Sequence, residues 1–508
     1  MLNQRDPQGL TQERFDLIVV GGGVYGIMVL LEAARRGLRA LLLERGDFGA
    51  ETSYNSLRIV HGGLRYLQTL DLIRHRESVA ERRWFLRHFP ELVEPLPCLM
   101  PLHGAGLRRP WVFRAALRVN DVLSGTRNAG VTEDHALPAS RVLSVKETHA
   151  ACPGMSRDGL RAAAEWHDAF IPNMPRMFIE TLHWACAHGA FALNHVEARG
   201  VIATEGAVAG VCATDVISGA ELTFHADVVV NATGPWGPAF ADACGADRDG
   251  LFEPSLAWNV VFDCPPPAAH ALAVRTRRPG ARTYFLVPWK GVLLAGTGHA
   301  GWTKGGAAPV LPPDLLHAFI GELNEALPSL NLGEADVLRV FAGLVPTGQP
   351  GSGELLSRDV IVDHGARGGP RGLFSLAGVK LTTARRVADK ALRRAFPSAQ
   401  ARPFAAFPRP AHGEPAPDHS VRWMPEPGDE GWKDALRVAI AGEAVEHLED
   451  LLLRRSSLGD NPARAAALAP EAARLFDWDD GRAQREVARL RHSLDLPAED
   501  LDCANAGK

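Results

Sequence analysis

The sequence is poor in cysteine, and its seven cysteines do not cluster. Cys98, Cys152, Cys186, Cys212, Cys244, Cys264 and Cys503 show no close metal-ligand or redox spacing. They read as inert thiols of a reducing compartment, not as a disulfide framework, and no metal site is expected. A basic surplus is also missing. The chain has 55 Lys and Arg against 59 Asp and Glu, a formal net charge of −4, which argues against a general nucleic-acid binder. No stretch reaches the roughly 18 consecutive apolar residues of a membrane span. The polar first fourteen residues lack the apolar run of a signal peptide, so the expected location is the cytoplasm. No internal repeat stands out. What remains is ordinary globular composition, 46% hydrophobic and 22% charged, in a chain of 508 residues, long enough for two or three domains.

The most informative segment is near the start. An apolar run, Phe15 to Val20, leads into Gly21-Gly22-Gly23-Val24-Tyr25-Gly26, and a second apolar run, Ala40 to Leu43, ends at Glu44. Strand, glycine turn, helix, strand and acid, in that order, are what a dinucleotide-binding βαβ unit requires. Gly21 permits the tight turn, Gly23 lets the backbone approach a pyrophosphate, and Gly26 lets the helix pack closely on the strand. The helix N-terminus at Val24 and Tyr25 offers N–H groups and a partial positive charge to phosphates. Glu44 stands where a carboxylate accepts hydrogen bonds from a ribose.

The residues after Glu44 point to FAD. Arg45, Thr52, Ser53 and Arg58 lie in a small polar stretch that leads to His61-Gly62-Gly63, which suits a loop lying along a long cofactor. The run His61-Gly62-Gly63-Leu64-Arg65-Tyr66-Leu67 resembles a signature of the FAD-dependent, quinone-linked glycerol-3-phosphate dehydrogenases. The resemblance recurs at Val229 to Trp236, at Tyr284 to Trp289 with Gly296-Thr297, at Leu356 to Asp359, at Leu376 to Thr383 and at Leu448 to Arg455. It spans the chain from about Phe15 to about Leu496.

The motifs lie far apart, so the expected fold is α/β: a Rossmann-like FAD domain interrupted by a mixed α/β substrate domain with an antiparallel sheet, then a C-terminal helical domain. The expected boundaries are 15–95, 186–250 and 341–395 for the FAD domain and 96–185 and 251–340 for the substrate domain. A proline-rich linker is expected at 396–424 and the helical domain at 425–500. Trp258 to Phe262 and Val292 to Ala295 read as strands. Leu448, Leu451, Leu452, Arg454 and Arg455 read as an amphipathic helix.

The resemblance implies noncovalent FAD, further contacts at Val196, Ala232, Thr233 and Gly234, and a helix start at Gly378, Lys380, Leu381 and Thr382 facing the flavin. It implies oxidation of a CH–OH group by hydride transfer to flavin N5, with electrons passed to a quinone or another acceptor. Arg65, Arg358 and Lys380 are the inherited substrate cations, and Tyr66 is either a hydrogen-bond donor or a packing group. Two positions depart from the family pattern. Val345 stands where the family carries its phosphate-binding arginine, and Asn259 stands where it carries a histidine that accepts a proton. Loss of a charge-assisted hydrogen bond costs roughly 1.5–3 kcal/mol. His299 and His61 are the candidate replacement bases, since an unperturbed histidine titrates near 6.5. Asp168 and Arg176 match the family's acidic segment, but Met174-Pro175 replaces its Asp-Ala pair. These departures raise the alternative of a divergent dehydrogenase or oxidase acting on another polyol, hydroxy acid or amine. An oxidase would consume oxygen directly, and a protein that binds FAD without turnover would not bleach with any donor. The basic and apolar run Arg108 to Arg118 reads as a surface-lying helix that could rest on the inner membrane face.

Overall fold

The computed structural model describes residues 2, 5–104, 109–247, 251–278, 280–304, 309–349, 351–356, 358–404 and 420–494. The chain forms two compact units, Asp6–Arg409 and, with the first five residues, Pro410–Lys508. Most of the proline-rich segment and Arg108 lie outside the described residues.

The larger unit holds two sheets. The first runs in the order Val360–Asp363, Leu373–Ala377, Glu221–Asn231, Arg14–Val20, Ala40–Leu43, Phe191–Leu193. Its central strands pair in parallel, and the hairpin Val196–Thr204/Ala207–Asp215 joins Glu221–Asn231 antiparallel. Burial follows the pairing. Glu221–Asn231 alternates buried and exposed beside the hairpin, then is buried on both faces from Val228, as parallel strands covered by helices must be. Phe15, Ile18, Leu41, Phe224, Val229 and Leu373 fill this core. The helix Val24–Arg35 packs against helices Met174–Ala187 and Ala384–Ala395. Arg385 ties three helices together: Nη1 donates to Glu32 at 2.8 Å and Nε to Glu81, on helix Leu72–His88, at 2.9 Å.

The second sheet is antiparallel apart from one parallel pair, Ala271–Val274 with Glu94–Leu102. Its order begins Val337–Thr347, Glu253–Phe262, Val292–Gly301, Tyr284–Trp289, Ala271–Val274 and ends Glu94–Leu102, Ala162–Phe170, Ile59–Val60. Helix Pro313–Ala326 covers it with Phe319, Ile320 and Leu323. The boundaries expected at 95/96 and 340/341 fall inside strands Glu94–Leu102 and Val337–Thr347 of this sheet. Both sheets are continuous hydrogen-bonded ladders, so a division between the two is drawn by strand pairing and not by a cut in sequence.

In the second unit, the segment expected to be an amphipathic helix is a π-helical stretch, Asp450–Arg455, buried all round. Burial of Arg454 is offset by its bond to Asp450 at 2.6 Å, which the apolar periodicity could not reveal. Among the described residues, no helix is long and apolar enough to cross a membrane.

Candidate active site at the glycine turn

The carboxyl ends of the parallel strands converge where open α/β sheets bind their ligands. Gly21 N–H donates to Leu43 O, and Ala232 N–H to Val20 O, both at 2.8 Å. Thr233 donates from its N–H and its hydroxyl to the Asn231 side chain, which fixes the Ala232–Gly234 turn. At Gly26 a Cβ would lie 1.8 Å from the Gly21 carbonyl oxygen, so the helix can approach the turn only with glycine there. Replacement by valine is expected to abolish FAD retention, read as the flavin-to-protein absorbance ratio after purification.

A cleft of about 690 Å³ opens at these strand ends, within the roughly 300–1,000 Å³ range of ligand sites. Gly21, Gly23, Val24, Tyr25, Glu44, Arg45, Thr52, Ser53, His61, Ala232, Thr233, Gly234, Gly378, Lys380 and Leu381 line it. Glu44 is fixed by the N–H groups of Gly22 (2.6 Å) and Gly46 (2.8 Å). Burial raises its pKa, and those two N–H groups oppose the rise. Ser53 Oγ accepts from Val24 N–H at 3.0 Å. The Tyr25 hydroxyl donates to Lys380 O and accepts from Lys380 N–H, bracing the 378–380 segment against the glycine turn. An acid at the second strand end, a helix N-terminus and a glycine-lined floor form a donor set that fits a dinucleotide pyrophosphate and ribose.

Other expected contacts lie behind the cleft. Arg58 is buried, stacks 4.3 Å over the Trp289 ring and donates to Pro172 O, so it clamps the second sheet. Gly62 and Gly63 are required by packing on helix Leu72–His88: a Cβ on Gly62 would lie 1.9 Å from Arg82. Val196 is buried and spends its N–H on Glu44 O, while Glu197, Ala198 and Arg199 line the cleft instead. Thr382 accepts the His61 N–H at 3.1 Å. Trp236, the last residue of the Val229–Trp236 motif, lines the cleft as well, and its ring lies under Arg45 at 4.0 Å.

At the far end of the cleft, His61 Nδ1 lies 3.1 Å from Asp168 Oδ2. Asp168 is buried and also accepts from Gly62 N–H (2.7 Å), Arg82 Nη1 (3.0 Å) and Trp166 Nε1 (3.3 Å). Burial pushes its pKa up, but the His61 bond, the His61 and Arg82 charges and the Gly62 N–H outweigh burial and hold it at about 2. His299 also lines the cleft, but burial and the charges of Arg282 and Arg65 push it down to about 4. A group so weakly basic is a poor proton acceptor at neutral pH. Asn259 is buried with both ends of its amide engaged: Nδ2 donates to Asn55 O and Oδ1 accepts from Thr297 Oγ1, each at 2.9 Å. It braces the cleft wall. Lys380 Nζ contacts the Tyr66 hydroxyl and lies 4.5 Å over that ring. Burial and the Arg65 charge lower Lys380 to about 8. Arg358 lies in a separate cavity of about 620 Å³, behind Tyr66 and Lys380, with Arg74, Asp359 and Lys390.

Residues 16–385 match a family model described as FAD dependent oxidoreductase. The chain belongs to the FAD-dependent oxidoreductase family. A glycerol-3-phosphate dehydrogenase of Synechocystis sp. is 31% identical over 401 residues, 75% of this chain and 70% of that protein. The aerobic glycerol-3-phosphate dehydrogenase of Bacillus subtilis is 29% identical over 385 residues, 75% of this chain and 66% of that protein. The crystal structure of the glycerol-3-phosphate dehydrogenase from Bacillus halodurans complexed with FAD superposes with a TM-score of 0.74 at 20% identity, covering 97% of each chain. This FAD-dependent oxidoreductase is thus an enzyme resembling the glycerol-3-phosphate dehydrogenases.

Proposed function

We propose that this oxidoreductase oxidises the secondary hydroxyl of a small phosphorylated polyol of the glycerol 3-phosphate kind and passes the electrons to a quinone or another acceptor. The observation that carries this reading is the His61–Asp168 pair at the cleft end where Arg65 and Lys380 gather. With Nδ1 facing a carboxylate, that nitrogen carries the hydrogen and Nε2 keeps the lone pair that accepts a hydroxyl proton. Bound FAD supplies the hydride acceptor. Lys380 and Arg65 neutralise the substrate's anionic end, and Tyr66 holds the Lys380 ammonium. Relatives named glycerol-3-phosphate dehydrogenase support the same donor. Amines and hydroxy acids lack comparable support. Anaerobic titration of the purified flavoprotein tests the reading: glycerol 3-phosphate is expected to bleach the flavin band. Bleaching by an amino acid and not by glycerol 3-phosphate would overturn it.

Because Lys380 is lowered to about 8, its charge is complete below that pH and lost above it. The KM for the anionic donor is therefore expected to rise between pH 7 and pH 9, and a flat KM would remove Lys380 from anion binding.

The reading extends to a membrane surface. Helix Pro110–Leu123 exposes Trp111 (66%), Val119 (52%) and Val122 (80%) beside the exposed Arg114 and Arg118, the pattern of a helix lying in a lipid interface. Co-sedimentation with anionic vesicles is expected and should weaken in a Trp111→Ser/Val122→Ser variant. Failure of the wild-type protein to sediment with such vesicles would remove this surface.

A further inference from the structure

The arginine missing at position 345 leaves the anionic end of the substrate short of a partner, and the structure offers a guanidinium nearby. Arg282 precedes strand Tyr284–Trp289, and its Nη1 donates to the His299 carbonyl at 3.1 Å. His299 and Val345 both line the cleft. The strand register relates them. His299 pairs with Ala257, which pairs with Gly343, and Gly301 pairs with Ser255, which pairs with Val345. Positions 299 and 345 therefore lie two strands and one two-residue step apart, roughly 12 Å from the usual strand spacing and rise. An arginine side chain and a phosphate group together bridge that distance.

Two further observations support the placement. Neither Arg282 nor Arg65 forms an ion pair among the described residues. Both charges also act on the same histidine, lowering His299 after the larger effect of burial. Two exposed guanidiniums thus lie close to His299, a residue of the cleft wall, and Arg282 keeps N–H groups beyond the one it gives to the His299 carbonyl. A planar fork suits a phosphate bidentately, where a lysine offers only a point charge.

We propose that Arg282, with Arg65, is the phosphate clamp of this enzyme and that the anion site has moved from position 345 to position 282. The proposal rests on the reading of the substrate as a phosphorylated polyol. The donor's phosphate sits against Arg282 and Arg65 at the His299 end, which leaves its hydroxyl carbon toward His61.

The test uses the holoenzyme and three variants, Arg282→Gln, Arg282→Lys and Arg282→Gln/Val345→Arg, each checked for flavin content. Inorganic phosphate binding, followed by perturbation of the flavin spectrum, gives a readout apart from turnover. Arg282→Gln is expected to weaken phosphate binding and raise the KM for glycerol 3-phosphate roughly ten- to hundredfold, with a smaller change in kcat. Arg282→Lys should recover part of the loss, and an arginine restored at 345 should recover more. Phosphate binding and KM unchanged in Arg282→Gln would overturn the clamp while leaving the substrate intact. A wild-type enzyme that ignores glycerol 3-phosphate would instead overturn the reading of the substrate, and the clamp with it.

Discussion

Replacing His61 with glutamine is expected to slow flavin reduction by the donor roughly 10²- to 10⁴-fold, the usual contribution of a positioned general base. Glutamine keeps a polar group of similar size but cannot take up a proton. Its side chain can still donate to Asp168, so flavin content and melting temperature should stay near wild type. The comparison with His299→Gln makes the result specific. His299 is held at about 4, so its removal should cost far less in rate than removal of His61. A His61→Gln enzyme that reduces its flavin at the wild-type rate would move the base elsewhere.

Replacing Asp168 is expected to have the largest effect on stability. Four donors converge on its carboxylate, and Arg82, its ion-pair partner, is itself buried. Asp168→Ala leaves that guanidinium without its charge partner, which costs about 3–5 kcal/mol when one half of a buried pair is removed. The same change frees the His61 ring to adopt the other tautomer, so the rate should fall as well. The pH dependence follows from the depressed pKa. A carboxyl at about 2 in the folded state, against an ordinary 3.8, stabilises the fold at pH values above the ordinary one. That contribution, about 2 kcal/mol for about two pKa units, is lost as pH falls from about 4 through about 2. Urea unfolding at pH 7 and pH 3 should therefore show a narrower gap between wild type and Asp168→Ala at the lower pH. A gap that widens on acidification would contradict the network.

How much of this was legible in the sequence depends on how local each signal is. The glycine turn, Glu44 and the Ala232–Gly234 turn could be read because strand, turn and acid follow one another in the chain, and each ends at the same sheet edge. The His61–Asp168 pair could not, because the partners are 107 residues apart and meet only through the second sheet. Gly62 and Gly63 carry a further constraint that the motif does not show: they admit Arg82 and helix Leu72–His88 at close range. Arg58 and Arg358 illustrate the same limit. A motif tells that an arginine is needed but not whether it faces a cleft, a tryptophan ring or a second cavity. Asn259 looked like a lost base, yet its amide ties Asn55 to Thr297, a role that only the folded geometry reveals.

The most direct test of the central claim is stopped-flow reduction of the wild-type flavin under anaerobic conditions. Glycerol 3-phosphate and its C2-deuterated form would be compared with glycerol and an amino acid. The account predicts rapid bleaching by glycerol 3-phosphate, slower bleaching by the deuterated donor, weak reaction with glycerol and none with the amino acid. Bleaching by the amino acid with none by glycerol 3-phosphate would contradict it.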